Sequence, residues 1–249
     1  MKSLTTTLIL LIGFISTGIA QESRFFVPRE IRDAYEAGTR SMDGKPGPDY
    51  WQNTVDYTID ANLDPSTRTI SGTVEAVYHN NSPEPMSAIV VRLYHDVFKE
   101  GAKRMMAVNT EDINEGTEVS ELAVNGQSVD MNTRAVRRLG TNMIVTLAAP
   151  VESGSTVTLS MQWSYVVPTT LRRTGVYDST SYHVAYWYPQ VSVYDDVFGW
   201  DVMDYTFQTE FYNNLGNYDV TISAPENFNI WATGTLQNPD AIFPDNILA

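Results

Sequence analysis

From Trp51 onward, apolar and polar residues alternate with a period of two. Val55, Tyr57, Ile59 and Ala61 alternate with Asp56, Thr58 and Asp60, which predicts a strand with one face buried. Leu63-Asp64-Pro65-Ser66-Thr67-Arg68 reads as a turn with Pro set to start it. Ile70, Val74, Ala76 and Tyr78 then share one face of a second strand, with Gly72 in step. Ile89, Val91 and Leu93 predict a third. Asn125-Gly126, between residues 122–124 and Val129, is a hairpin signal. Residues 143–147 predict another strand, and Val157, Leu159, Met161, Trp163 and Tyr165 form the cleanest alternation in the chain. Residues 207–212 and 218–223, on either side of Asn213-Asn214-Leu215-Gly216-Asn217, read as two further strands, and residues 230–233 as a last one. About ten short strands separated by turns predict an all-β fold, an antiparallel β-sandwich or saddle. The best helix candidate is residues 28–35, with Pro28 at its start and Gly38 as its stop. Residues 41–49 read as a linker.

The N-terminus breaks this pattern. Met1-Lys2, the apolar run Leu8-Ile9-Leu10-Leu11-Ile12-Gly13-Phe14-Ile15 and the small residues of Gly18-Ile19-Ala20 predict a secretory signal peptide cut after Ala20. The run is too short to cross a hydrocarbon core of ~30 Å as a helix. The expected organisation is a signal peptide over 1–20, a helix and linker over 21–50, and a β domain over 51–249. The product is expected to be exported, periplasmic or extracellular, with no stable membrane span.

Composition narrows the chemistry. The chain of 249 residues has 16 Lys+Arg against 30 Asp+Glu, a formal charge of −14, which argues against nucleic acid as a partner. It contains no Cys, so a disulfide framework, a thiolate zinc site and a cysteine nucleophile are all excluded. An exported fold without disulfides must be held by its core. His79, His95 and His183 are isolated, each expected to be a strand-surface or satisfied core histidine. The zinc-peptidase helix H-E-x-x-H needs two imidazoles on one helical face and is absent. A Gly-x-Ser-x-Gly elbow, a phosphate loop and a dinucleotide glycine pattern are absent too. No residue is assigned a catalytic or metal-binding role. Asp195-Asp196 is expected in a solvated loop. The densest signal is the segment from Tyr186 to Trp200, with six aromatics beside polar and acidic groups. Aromatics on strands usually fill a core, but this density exceeds what one inward strand face needs, so a core filling and a rim or cavity wall both stand as readings.

At this segment the chain resembles a known family. Trp187-Tyr188-Pro189, then Tyr194-Asp195-Asp196, then Gly199-Trp200 is similar to the N-terminal domain of Bacteroidetes-type members of the aminopeptidase N family, the gluzincin zinc metallopeptidases. The flanks agree. Tyr57-Thr58-Ile59, Leu63-Asp64-Pro65 and Thr69-Ile70-Ser71-Gly72 resemble its first hairpin. Asn81-Ser82-Pro83, Leu93-Tyr94 and Val97-Phe98 resemble its next strands. Glu210-Phe211-Tyr212, Gly216-Asn217-Tyr218-Asp219-Val220 and Ala232-Thr233-Gly234 resemble its closing strands. The match runs from about Trp51 to Pro239.

The resemblance implies a saddle-shaped β domain that packs on a thermolysin-like catalytic domain, normally in cis. That second domain carries Gly-x-Met-Glu-Asn, H-E-x-x-H and a downstream glutamate, and holds the zinc of the full-length family; none of these motifs occurs here. The expectation is an N-terminal domain without its enzyme, a truncated product or fragment that is inactive alone and meets peptide substrate only through that partner. In the family this domain also supplies a Gln or Glu that holds the substrate amine. The ungapped match puts Thr180 there. Trp187, Tyr188, Gln190, Asp195, Trp200 and Glu210 are the candidates for the cavity wall or the interdomain seam. The competing expectations are a stand-alone secreted module that binds carbohydrate on its aromatics or calcium on Asp195, Asp196, Asp201 and Asp204, and a structural partner that docks by an exposed strand edge.

Overall fold

The computed structural model describes residues 26–243. The proposed signal peptide and its cleavage point after Ala20 lie outside the described residues. The chain divides between Asp49 and Tyr50 into two units, each taken by itself.

In the first unit, helix α1 (Arg29–Glu36) starts one residue later than expected, with Pro28 as its N-cap. Ala34 is its buried residue, and Arg29 and Asp33 pair one turn apart at 3.6 Å. Gly38 ends it in the left-handed region, at φ +74°. Residues 41–49 form a tight turn in which the Ser41 hydroxyl donates to the Lys45 carbonyl at 2.8 Å.

The second unit has, in chain order, strands β1 (Thr54–Asp64), β2 (Thr69–His79), β3 (Met86–Arg92), β4 (Glu118–Val124), β5 (Gln127–Ser128), β6 (Val136–Leu139), β7 (Asn142–Val151) and β8 (Thr156–Val166). They are followed by β9 (Gly175–Asp178), β10 (Ser181–His183), β11 (Gln190–Val191), β12 (Tyr194–Asp195), β13 (Gly199–Trp200) and β14 (Gly216–Ser223). A four-residue helix, α2 (Pro239–Ile242), ends the described chain. The strands make a six-stranded sheet in the order β14-β1-β2-β8-β4-β5 and a four-stranded sheet in the order β11-β3-β7-β6, with two short ribbons, β9-β10 and β12-β13. Every pairing is antiparallel except β1 with β14, which run parallel.

Alternation builds the core directly. Tyr57 of β1 faces Ala76 of β2, and Val74 faces Met161 of β8, so the apolar residues of adjacent strands form rows on one face. That face packs with Ile89, Val91, Met143 and Val145 of the four-stranded sheet in one cluster. Each fully buried Val, Leu or Ile is worth ~1.5–3 kcal/mol, and with no disulfide the fold rests on this cluster. The opposite face carries Thr58, Asp60, Thr73, Glu75, Ser160 and Gln162 to solvent.

The strand expectations over residues 55–61, 70–78, 143–147, 157–165 and 218–223 agree with these elements, as does the Asn125-Gly126 hairpin, where both residues have positive φ. Others are corrected. Residues 207–212 form no strand, because Phe207 adopts φ +75° and turns its ring into an aromatic cluster. Residues 230–233 are not a strand either and leave Trp231 exposed. The hairpin implied between residues 207–212 and 218–223 is therefore absent, and β14 instead lies parallel to β1. Leu93 falls just past the end of β3, and that strand is buried on both faces, Val90 and Arg92 included.

Candidate functional site

The segment 186–200 contributes the edge strand β11 to the four-stranded sheet and then folds back on itself as the β12-β13 ribbon. Tyr186 enters it with φ +56°, a left-handed conformation that is costly for a bulky side chain. The six candidate residues fall into three groups.

Gln190 and Glu210 belong to the first. Gln190 sits in β11, opposite Arg92 of β3, and is buried. Its Oε1 accepts a hydrogen bond from the Tyr94 hydroxyl at 3.0 Å. Tyr94 opens a 3-10 turn (Tyr94–Phe98) and packs on Tyr186, Tyr205 and Phe211. Burial holds the Tyr94 hydroxyl protonated well above the usual phenol range. The Tyr186 hydroxyl accepts from Arg173 Nη1 at 2.8 Å, and Arg173 Nη2 pairs with Glu210. The packed Tyr94 and Tyr186 rings thus lie between a buried amide on one side and an exposed ion pair on the other.

Trp187 and Tyr188 form the second group. Trp187 packs on Trp163 and Tyr188, and Tyr188 meets Tyr57 edge-on at 5.4 Å. The Tyr188 hydroxyl donates to that of Tyr218 at 3.2 Å. Asp195 and Trp200 make the third. Trp200 packs on Tyr78 and Tyr194. Asp195 accepts the amides of Val197 and Phe198, at 2.9 and 2.6 Å, and the Tyr212 hydroxyl. Asp195 therefore lies in a short ribbon, half-buried, rather than in a solvated loop.

Thr180 lies in the turn between β9 and β10. Its amide and hydroxyl both donate to Asp178, each at 2.8 Å. The side chain is exposed and closes its own turn.

The acidic residues proposed for calcium have other partners. Asp201 pairs with the buried Arg92 guanidinium at 2.6 Å, and Asp204 accepts the Thr141 amide at 3.2 Å. The histidines sit on three separate elements. His79 bonds Asp56 across the hairpin at 2.8 Å, and His183 lies exposed on β10. His95 is buried and stacked on Tyr165 with centroids 3.5 Å apart, but its Nε2 has no partner, so it is not the satisfied core histidine that was expected. Among the described residues, no three of His, Cys, Asp or Glu gather where they could hold a metal ion.

A cleft of about 780 Å³ lies elsewhere, on the polar face of the six-stranded sheet, lined by residues such as Thr58, Glu75, Gln162 and Asp219. None of the six candidates lines it. Local sequence reasoning missed Arg173 and Asn213, whose side chain also meets the Tyr94 hydroxyl, at 3.4 Å. Their contacts join residues far apart in the chain, and no local pattern marks them.

No protein-family model matches the chain, and no curated protein matches it in sequence. Solved structures it is similar to include M1 zinc metallopeptidases, an aminopeptidase A and an LTA4 hydrolase. An M1 zinc metallopeptidase from Deinococcus radiodurans is 17% identical over 78% of this chain and 38% of that one, with a TM-score of 0.39. Aminopeptidase A of Legionella pneumophila is 10% identical over 52% of this chain and 13% of its own, with a TM-score of 0.34. Yeast LTA4 hydrolase is 14% identical over 57% and 19%, with a TM-score of 0.31. This chain spans about two fifths of the Deinococcus enzyme's length.

Proposed function

We propose that this chain is the non-catalytic N-terminal β domain of an exported zinc aminopeptidase-like metallopeptidase. It packs on a catalytic domain and shapes one wall of the active-site cavity. The observation that carries this reading is the order of the family-like motifs on an all-β fold. Tyr57-Thr58-Ile59 lies in β1, Thr69-Ile70-Ser71-Gly72 in β2, Gly199-Trp200 is β13, and Gly216-Asn217-Tyr218-Asp219-Val220 opens β14. Geometry supports the wall. Tyr186 and Phe207 hold left-handed conformations in the aromatic cluster of Tyr94, whose hydroxyl bonds the buried Gln190, and such strain collects at functional sites. Phe198, Val202, Met203 and Tyr212 of the same region are exposed, as apolar residues covered by a partner domain would be in isolation. In this reading zinc belongs to the catalytic domain, and no step of hydrolysis is assigned to this chain.

The test is to assay the purified chain on aminoacyl-anilides with zinc added. The expected result is no turnover. Hydrolysis that a chelator abolishes would overturn the reading. A signal on a glycan array, or a melting temperature raised by calcium, would favour the binding-module alternative instead.

A further inference from the structure

A sheet edge is a row of unpaired backbone groups, and proteins blunt such edges with short strands, basic residues or proline. Three of the four edges of the two main sheets are blunted in this way. β5 and β11 are two residues long, and the four-residue β6 carries Arg137 and Arg138. The fourth, β14, is eight residues long, with no proline, no basic residue and Asp219 as its one charge. Among the described residues it pairs only with β1.

The apolar face of the sheet also continues onto β14, where Tyr218 stacks on Tyr57 and meets Tyr188 yet stays half exposed and Ile222 is half-buried. Register places Tyr218, Val220 and Ile222 beside Tyr57, Ile59 and Ala61. The β1 residues are 2–4% exposed, whereas Tyr218 is 47% and Val220 39% exposed. The core thus ends one strand short of the sheet.

We propose that β14 is a self-association edge, pairing antiparallel with β14 of a second copy about a two-fold axis at Val220. The sequence is self-complementary in this register. Val220 meets itself and Tyr218 meets Ile222 on the apolar face, while Asp219 meets Thr221 and Asn217 meets Ser223 on the polar face. The one charge on the strand therefore never faces its own copy, and apolar side chains lie opposite apolar ones. The contact is isologous and closes at two copies, giving one sheet of twelve strands. One added strand pair is smaller than a standard interface of about 1,600 Å², so the dimer is weak and exchanges with monomer. Each copy carries a charge of −14, so the pairing tightens as salt screens their repulsion. This inference does not depend on the proposed link to a peptidase.

The absence of cysteine makes the test specific. In the Val220→Cys variant the two thiols face one another at a spacing a disulfide accepts. In Ser223→Cys they lie about 20 Å apart, six residues out of register. Under mild oxidation Val220→Cys should form a covalent dimer at least tenfold faster than Ser223→Cys. Light scattering on the native chain should show its mass rising from one chain towards two with concentration, and rising further with salt. Val220→Lys and Val220→Glu, each checked for folding by circular dichroism and melting, should both be monomeric. Mixing them should restore a dimer, because Lys then faces Glu. A native chain that stays monomeric into the millimolar range would overturn the proposal. So would open-ended aggregation, a dimer unaffected by Val220→Lys, or equal cross-linking of the two cysteine variants.

Discussion

His95 is the residue whose protonation the fold most strongly opposes. Its ring lies against Tyr165 and Phe98, and burial lowers its pKa from 6.5 to about 3. The folded chain therefore holds it neutral while the unfolded chain protonates it near 6.5. The resulting stability is fully present above pH 6.5 and is lost as pH falls from there towards 3. Asp96, beside it, has the opposite shift: burial raises its pKa against the pull of Arg138, so it acts in the reverse sense. The unfolding free energy read from denaturant titrations should fall by up to about 1.4 kcal/mol per pH unit below 6.5. His95→Phe should flatten that slope; an unchanged slope would mean that another group sets it. A second residue-scale expectation concerns Arg92, buried in β3 and paired with Asp201. Asp201→Ala leaves a buried cation unpaired and should cost about 3 kcal/mol or more in urea unfolding, whereas Arg92→Met, which removes the cation, should cost less.

The first hairpin depends on backbone contact. At Gly72 a Cβ would lie 2.1 Å from the Asp60 carbonyl oxygen of β1. Gly72→Ala must therefore push β1 and β2 apart and should lower stability by about 2 kcal/mol, read as an earlier urea midpoint. β1, β2 and β8 were legible in the sequence because each has one wet and one dry face, and Val55 to Ala61 or Val157 to Tyr165 record that at every second position. Residues 207–212 show a similar alternation for a different reason. Phe207 and Phe211 both pack with Tyr205, and Phe211 with Tyr94 and Tyr186, in a cluster whose geometry bends the chain at Phe207. Pattern alone cannot separate a strand face from a bent aromatic loop. Residues 230–233 have the composition of a strand but pair with no strand among the described residues, and pairing is not a property of one segment. The same limit hid the parallel placement of β14 on β1.

For the whole molecule, the segment from Tyr186 to Trp200 was legible as a density of aromatics, yet its internal arrangement was not. The sequence places Trp187 and Trp200 in one aromatic segment, whereas one packs on Trp163 and the other on Tyr78. Gln190 and Glu210, twenty residues apart, are joined through Tyr94, Tyr186 and Arg173, a link only the fold creates. The proposed scaffold role rests on this organisation, in which buried aromatics support a partly apolar surface. The account therefore expects the engine to be encoded next to it. The most direct measurement is the DNA sequence immediately downstream of Ala249. The account predicts coding sequence in the same frame, with or without an interrupting stop codon, for Gly-x-Met-Glu-Asn followed by an H-E-x-x-H helix and a later glutamate. Downstream DNA that encodes no such helix would contradict it.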